Sequence, residues 1–219
     1  MTNAYYPLCA DLNGRRCVVI GGGLIAQRKV TTLLGYGARV TVVSPAATRR
    51  LLAYARRGRI RYVPRRFRPA DLRGAWLVYA STDEQAVNAL VFRTAQRLRI
   101  FANVVDQKPL CSFIAPAIFR RGGLTVAVST GGASPTLAKQ LRRELGRRLG
   151  DDYGSLLKLL SGLRGVAKRK LPGYRDRKRY FDRLVNGRVR ALIQAGKPHQ
   201  ARQEALALLE RAARHNGHR

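Results

Sequence analysis

Acidic residues are scarce: 12 Asp and Glu stand against 43 Lys and Arg in 219 residues, a formal charge of +31. Such a surface draws in anions, nucleic acid and small polycarboxylates alike. The excess is spread along the chain, with 26 basic against 6 acidic residues in 1–150 and 17 against 6 in 151–219. An even spread argues against a basic nucleic-acid-binding arm and for an overall Arg bias with a basic cleft, so nucleic acid is not an expected partner. Cysteine is equally thin. Cys9, Cys17 and Cys111 are far apart and lack CxxC spacing, which argues against disulfides and a zinc site and points to a reducing cytoplasm. The three histidines, His199, His215 and His218, all fall near the C-terminus, so no metal site is expected. No apolar run approaches the ~20 residues of a membrane span. The first residues, MTNAYYPLCADLNGRR, lack a secretory pattern, and no membrane contact is expected.

What is present is a repeated alternation of strand and helix signals. RCVVI (16–20) is a short β-branched run, followed at once by Gly21-Gly22-Gly23 and a helix over 26–34 with Ala26, Val30, Leu33 and Leu34 on one face. RVTVVS (39–44), a helix over 46–57, RIRYVP (59–64), AWLVYAS (75–81), a helix over 84–98 carrying Val87, Leu90, Val91, Ala95 and Leu98, and IFANVV (100–105) continue the series. The pattern predicts an α/β fold, a Rossmann doubly wound parallel sheet. Beyond about residue 112 the signals change to two short strands around Arg121-Gly122-Gly123 and a helix over 134–149. Three amphipathic helical stretches follow, separated by Pro172-Gly173 and Gly196-Lys197-Pro198. The expected division is a Rossmann domain over 1–113, a small α+β dimerisation region over 114–149 and a helical C-terminal domain over 150–219.

Gly21-x-Gly23-x-x-Ala26 fits the dinucleotide fingerprint and sits after a strand, opening a helix. Gly21 permits the tight turn, Gly23 lets the backbone approach a pyrophosphate at the helix N-terminus, and Ala26 allows close packing. The simpler alternative is an ordinary strand–helix turn. One position departs from the pattern: the acid expected at the end of the second strand is replaced by Ser44-Pro45-Ala46. Ser44 can hydrogen-bond a ribose hydroxyl, while Arg49 and Arg50 can accept a 2′-phosphate, so the residues alone leave NAD and NADP open.

Several stretches together resemble one family. GGGLIAQRK (21–29), Ala80-Ser81-Thr82-Asp83 with Asn88, Asn103-Val104-Val105-Asp106, SFIAPA (112–117) and VSTGGASP (128–135) with Ala138 resemble the motifs of precorrin-2 dehydrogenases, the N-terminal module of siroheme synthase. The resemblance runs in order over 5–150 and continues more weakly through the helical tail. It implies NAD-dependent oxidation of precorrin-2 to sirohydrochlorin, with ferrous or cobalt insertion in some members, and an intertwined homodimer. The expected cofactor residues are Gly21, Gly22, Gly23, Leu24, Ile25, Ser44, Pro45, Ala46, Thr82, Asp83 and Asn103, and the expected substrate residues are Ser129, Thr130, Gly131 and Arg28.

Asp106 is the expected catalytic residue. It lies past the fifth strand, at the carboxyl edge where Rossmann ligands bind, and a carboxylate there can take the proton that accompanies hydride loss. Its alternative role is to cap a turn before Lys108-Pro109. Asn103 either orients a ligand or satisfies backbone groups. Thr82 and Asp83 either contact cofactor or, for Asp83, cap the next helix. Ser129–Ser134 either holds a substrate carboxylate on backbone amides or is a capping loop with Ser134 as N-cap. Arg28, Lys29, Arg120, Arg121, Lys139, Arg142 and Arg143 are candidate partners for an octacarboxylate, and Cys111 is a packing thiol near the site. Two other readings are a chelatase-only relative and a non-catalytic nucleotide-sensing or nucleic-acid-binding Rossmann protein.

Overall fold

The computed structural model describes residues 5–216 and divides into two compact units, one of residues up to 115 with 131–133, the other of 116–130 with 134 onward. His218 lies outside the described residues.

The first unit is built on five parallel strands, β1 (Arg16–Ile20), β2 (Arg39–Val43), β3 (Ile60–Val63), β4 (Leu77–Ala80) and β5 (Phe101–Val104), in the order β3-β2-β1-β4-β5. Helices α1 (Leu24–Gly35), α2 (Arg49–Arg56) and α3 (Gln85–Arg97) connect them. The central strand reads as an unbroken apolar run because both its faces are covered. Val18 and Ile20 point into one cluster with Val78, Ala80, Ala102, Val91 and Ala95, and Cys17 and Val19 into the other with Ala26, Val30, Val40 and Val42. Burial pushes the Cys17 thiol up to about 11. Strand order reverses between β1 and β4, which makes a crevice at their carboxyl ends.

The expected elements appear with shifted ends. α2 begins at Arg49 instead of residue 46, because Thr48 is its N-cap, its hydroxyl accepting from Leu51 N at 3.4 Å. Leu98, expected on the buried side of α3, is its C-cap and 44 % exposed.

One acid anchors the Arg-rich link from β3 to β4. Asp71 accepts two hydrogen bonds from Arg65, at 2.6 and 2.8 Å, and one from Arg68 N at 2.8 Å. Arg65 lowers the Asp71 carboxyl below its ordinary 3.8, against the opposing effect of burial. With the folded value depressed, the interaction is fully present above the ordinary value and is lost as pH falls through the folded value. Asp71→Asn is therefore expected to destabilise the unit by about 1–3 kcal/mol at pH 7. In urea titrations at several pH values, the gap between variant and parent closes on acidification.

The second unit contains a hairpin, β6 (Ala117–Arg121) and β7 (Leu124–Val128), then α4 (Pro135–Arg148) and four more helices. These are α5 (Asp151–Lys170), α6 (Tyr174–Asn186), α7 (Arg188–Gln194) and α8 (Pro198–Asn216). Among the described residues the tail thus holds four helices and not the expected three. The break falls at Gly187, where a Cβ would stand 2.6 Å from Arg183 O. Their shared core includes Leu163, Leu171, Leu184 and Leu209, and each fully buried Leu contributes about 1.5–3 kcal/mol. The buried Tyr180 hydroxyl donates to Ala205 O at 3.0 Å. Among the described residues, no helix is long and apolar enough to cross a membrane.

Candidate functional site

The three glycines after β1 serve different neighbours. Gly21 has φ +112°, and a Cβ there would stand 2.6 Å from Ser81 O at the end of β4. At Gly22 a Cβ would meet Ala46 O at 1.9 Å, in the loop after β2. At Gly23 it would meet no protein atom within 4 Å. The first two glycines are thus required by the fold, while the third faces open space. Gly23 is the N-cap of α1 with no side-chain cap, and the first turn holds no acid. The opening amides of α1 are free of a capping side chain and positively polarised, a cradle suited to pyrophosphate. Leu24 beside it is 71 % exposed, Ile25 is half-buried, and Ala26 packs into the core.

The loop after β2 is tied to this turn. Thr48 N donates to Gly22 O at 2.9 Å, and the Thr48 hydroxyl donates to Gln27 Oε1 at 2.7 Å. Ser44 is buried, and Tyr62 donates to its carbonyl at 3.0 Å. Pro45 and Ala46 are exposed, as are Arg49 and Arg50. No carboxylate stands in this loop, so nothing here repels a 2′-phosphate. Sequence reading missed Thr48 and Gln27; the signal was a threonine just ahead of an amphipathic run.

At the ends of β4 and β5 the expected residues cluster. Thr82 and Asn88 close on each other: the Thr82 hydroxyl donates to Asn88 Oδ1 at 2.9 Å, and Asn88 Nδ2 donates to Thr82 O at 2.8 Å. The N-cap of α3 is Glu84, without a side-chain cap bond, so Asp83 does not cap this helix and is left exposed. Asn103, buried, uses its amide on Phe113 O at 3.0 Å and on Cys111 Sγ at 3.6 Å. Cys111 Sγ in turn lies 3.2 Å from Val104 O, and burial raises its thiol. The segment 111–113 is thereby strapped along β5, with the Phe113 ring edge-on to Tyr79 at 5.4 Å. Asp106 follows β5, is exposed, and holds φ +58°. Asp is one of the few residues that tolerate this left-handed region, and a non-glycine held there at a strand's carboxyl end is a feature of ligand sites. Arg28 and Lys29 lie one turn into α1, Arg28 exposed and Lys29 half-buried.

In the second unit, Ser129 and Thr130 end the hairpin ahead of α4. The Thr130 hydroxyl accepts from Ser134 N and donates to Ser134 O, both at 3.0 Å, and Ser134 Oγ accepts from Leu137 N at 3.2 Å. Ser134 is thus the N-cap of α4, and Gly131 and Gly132 take positive φ of +62° and +85°. Among the described residues, no group of three or more His, Cys, Asp or Glu is placed to hold a metal ion.

A parallel sheet with its strand order reversed beside an uncapped glycine turn defines a Rossmann-class dinucleotide-binding protein. Known proteins specify it further. An NAD(P)-binding family model matches residues 8–117, the sirohaem biosynthesis protein central model matches 121–148, and the sirohaem synthase dimerisation region matches 152–209. The chain belongs to the NAD(P)-binding family of the first of these models, and its later segments are similar to the sirohaem central and dimerisation regions. Siroheme synthase 1 of Aeromonas salmonicida is 42 % identical over 182 residues, 83 % of this chain and 39 % of that protein. Siroheme synthase of Thioalkalivibrio sulfidiphilus is 40 % identical over 206 residues, 94 % of this chain and 42 % of that protein. The chain thus spans about two fifths of these relatives' length. A solved structure titled SirC, precorrin-2 dehydrogenase, superposes with a TM-score of 0.75 at 26 % identity, covering 93 % of this chain and all of that one. The segment expected to form the dimer, 114–149, largely carries the central description, and the dimerisation description falls on the helical tail.

Proposed function

We propose that this chain oxidises precorrin-2 to sirohydrochlorin with NAD, in the cytoplasm and as a homodimer. The observation that carries the reading is Asp106: a carboxylate in a left-handed backbone at the carboxyl end of β5, in the same unit as the pyrophosphate cradle at Gly21–Gly23. The likeness to SirC over the whole of that chain supports the same substrate.

The division of labour follows from the residues. Gly21, Gly22, Gly23, Leu24 and Ile25 hold the pyrophosphate end, Ser44, Pro45 and Ala46 the adenosine ribose, and Thr82, Asp83 and Asn103 border the nicotinamide. When bound, the cofactor supplies the hydride acceptor. Oxidation removes a hydride and a proton, and Asp106 takes the proton from the substrate as the hydride leaves. Asn103, fixed by Phe113 and Cys111, holds the end of β5 that aims Asp106. Ser129, Thr130, Gly131 and Arg28 contact substrate carboxylates. Residues 1–113 form the cofactor domain, 114–149 a small α+β region and 150–219 the helical domain, and the likeness of 152–209 to a sirohaem synthase dimerisation region supports self-association that includes those helices. Sedimentation of the purified protein then gives a dimer.

The test is anaerobic. Precorrin-2, NAD and protein are mixed and the sirohydrochlorin absorbance followed, then ferrous or cobalt ion is added. Oxidation that depends on both NAD and protein is the expected result. Catalysed metal insertion without any oxidation favours a chelatase and contradicts the proposal.

A further inference from the structure

Lys29 is the charged group of the first unit whose environment is least explained by the fold. It sits in the second turn of α1, half-buried, with Nζ 4.6 Å from the Tyr79 ring centroid. An ammonium carries three donors. Here, among the described residues, it has a ring face and electrostatic neighbours but no hydrogen-bonding partner. Burial and the adjacent Arg28 lower its pKa, while the Asp106 carboxylate and Cys111 oppose that shift through space. Asp106 thus lies near enough to act on Lys29, yet no ion pair closes between them within 4.0 Å.

A partly desolvated cation without an acceptor is costly, and the cost disappears when an anion arrives. Tyr79 is itself held. Its ring meets Phe113, and its strand pairs with β5 at Asn103, the residue that straps 111–113. The ammonium is therefore presented on a packed aromatic support, in the same unit as the proposed proton acceptor, whose carboxylate acts on it through space. Charge-assisted hydrogen bonds to a carboxylate would fill its donors. Resting on the proposed function above, we propose that Lys29 is the anchor for a peripheral carboxylate of the substrate, fixing the tetrapyrrole with its reacting carbon beside Asp106. Its role is positioning and specificity, and it takes no part in the proton transfer.

The test uses the intact protein and uroporphyrin, a stable eight-carboxylate porphyrin, as the binding probe. Porphyrin fluorescence gives its Kd, and a separate titration gives the Kd for NAD. Lys29→Met keeps an apolar stem against Tyr79 and removes the charge; Lys29→Arg keeps the charge. The expected result is a roughly 10–100-fold weaker porphyrin Kd for Lys29→Met, a loss of no more than about threefold for Lys29→Arg, and an unchanged NAD Kd for both. In turnover with precorrin-2, KM rises for Lys29→Met while kcat is kept. Equal porphyrin binding by Lys29→Met and the parent overturns the anchor and leaves the dehydrogenase reading standing. A fall in kcat at constant KM also overturns it. If the parent itself ignores uroporphyrin, the tetrapyrrole reading fails first and the anchor with it. Should Lys29→Met lose NAD binding through misfolding, Lys29→Gln carries the same comparison. If every neutral variant misfolds while Lys29→Arg folds and still fails to bind porphyrin, the anchor is overturned.

Discussion

Asp106→Asn is expected to slow precorrin-2 oxidation by about 10²–10⁴-fold, the range of a lost general base, with NAD affinity unchanged. The reason is geometric. Asp106 is exposed beyond β5 and its φ of +58° is one Asn also adopts readily, so the substitution removes basicity without disturbing the strand. A turn-capping role, the alternative at this position, predicts the opposite pattern: lower thermal stability and near-normal turnover. Stopped-flow absorbance and a melting curve on the same sample separate the two.

The second large effect comes from a pair of neighbouring glycines. Gly22→Ala drives a Cβ to 1.9 Å from Ala46 O, a backbone atom of a loop already hydrogen-bonded to Gly22 through Thr48 N. Neither side can yield cheaply, so a loss of at least ~3 kcal/mol, the upper end of overpacking costs, is expected. Gly23→Val is the converse. Its backbone is extended at φ −78° and ψ −171°, and its Cβ meets nothing. Stability should change by no more than about 0.5 kcal/mol. The added side chain instead fills the space above the α1 amides, and the Kd for NAD rises by at least about tenfold if one charge-assisted contact is lost. An ordinary strand–helix turn would make Gly23→Val silent in both measurements.

Much of the fold was legible in the sequence because the signals were local. The apolar runs of β1, β2 and β4 are buried on both faces, and continuous β-branched strands followed by glycine and a 3.6-residue pattern admit few other arrangements. Helix ends were less legible. Thr48 moves the start of α2 by three residues through one side-chain bond that composition does not announce. Gly187 divides a stretch that is periodic throughout, because the obstacle is a close approach to Arg183 O and not a weak propensity.

The candidate site divides the same way. The glycine turn, Asn103 and Asp106 stood out as motif residues at strand ends. The unequal duties of the three glycines did not, since they depend on Ser81 and Ala46, which are distant in sequence. Nor did the Lys29–Tyr79–Phe113 stack, whose members read separately as a surface cation, a core strand residue and a loop aromatic. Asp83 shows the reverse error. A Thr-Asp pair before a helix looks like a cap, yet Thr82 and Asn88 close on each other and leave Asp83 outward.

The reaction proposed for this chain is transfer of a hydride from a tetrapyrrole to NAD. Its most direct measurement is stoichiometry under anaerobic conditions, with NADH read by fluorescence and sirohydrochlorin by absorbance in the same cuvette. One NADH formed for each sirohydrochlorin, with both signals slowed together by about 10²–10⁴-fold in Asp106→Asn, is the predicted result. Sirohydrochlorin appearing without NADH, or neither appearing while precorrin-2 and NAD are both bound, would contradict it.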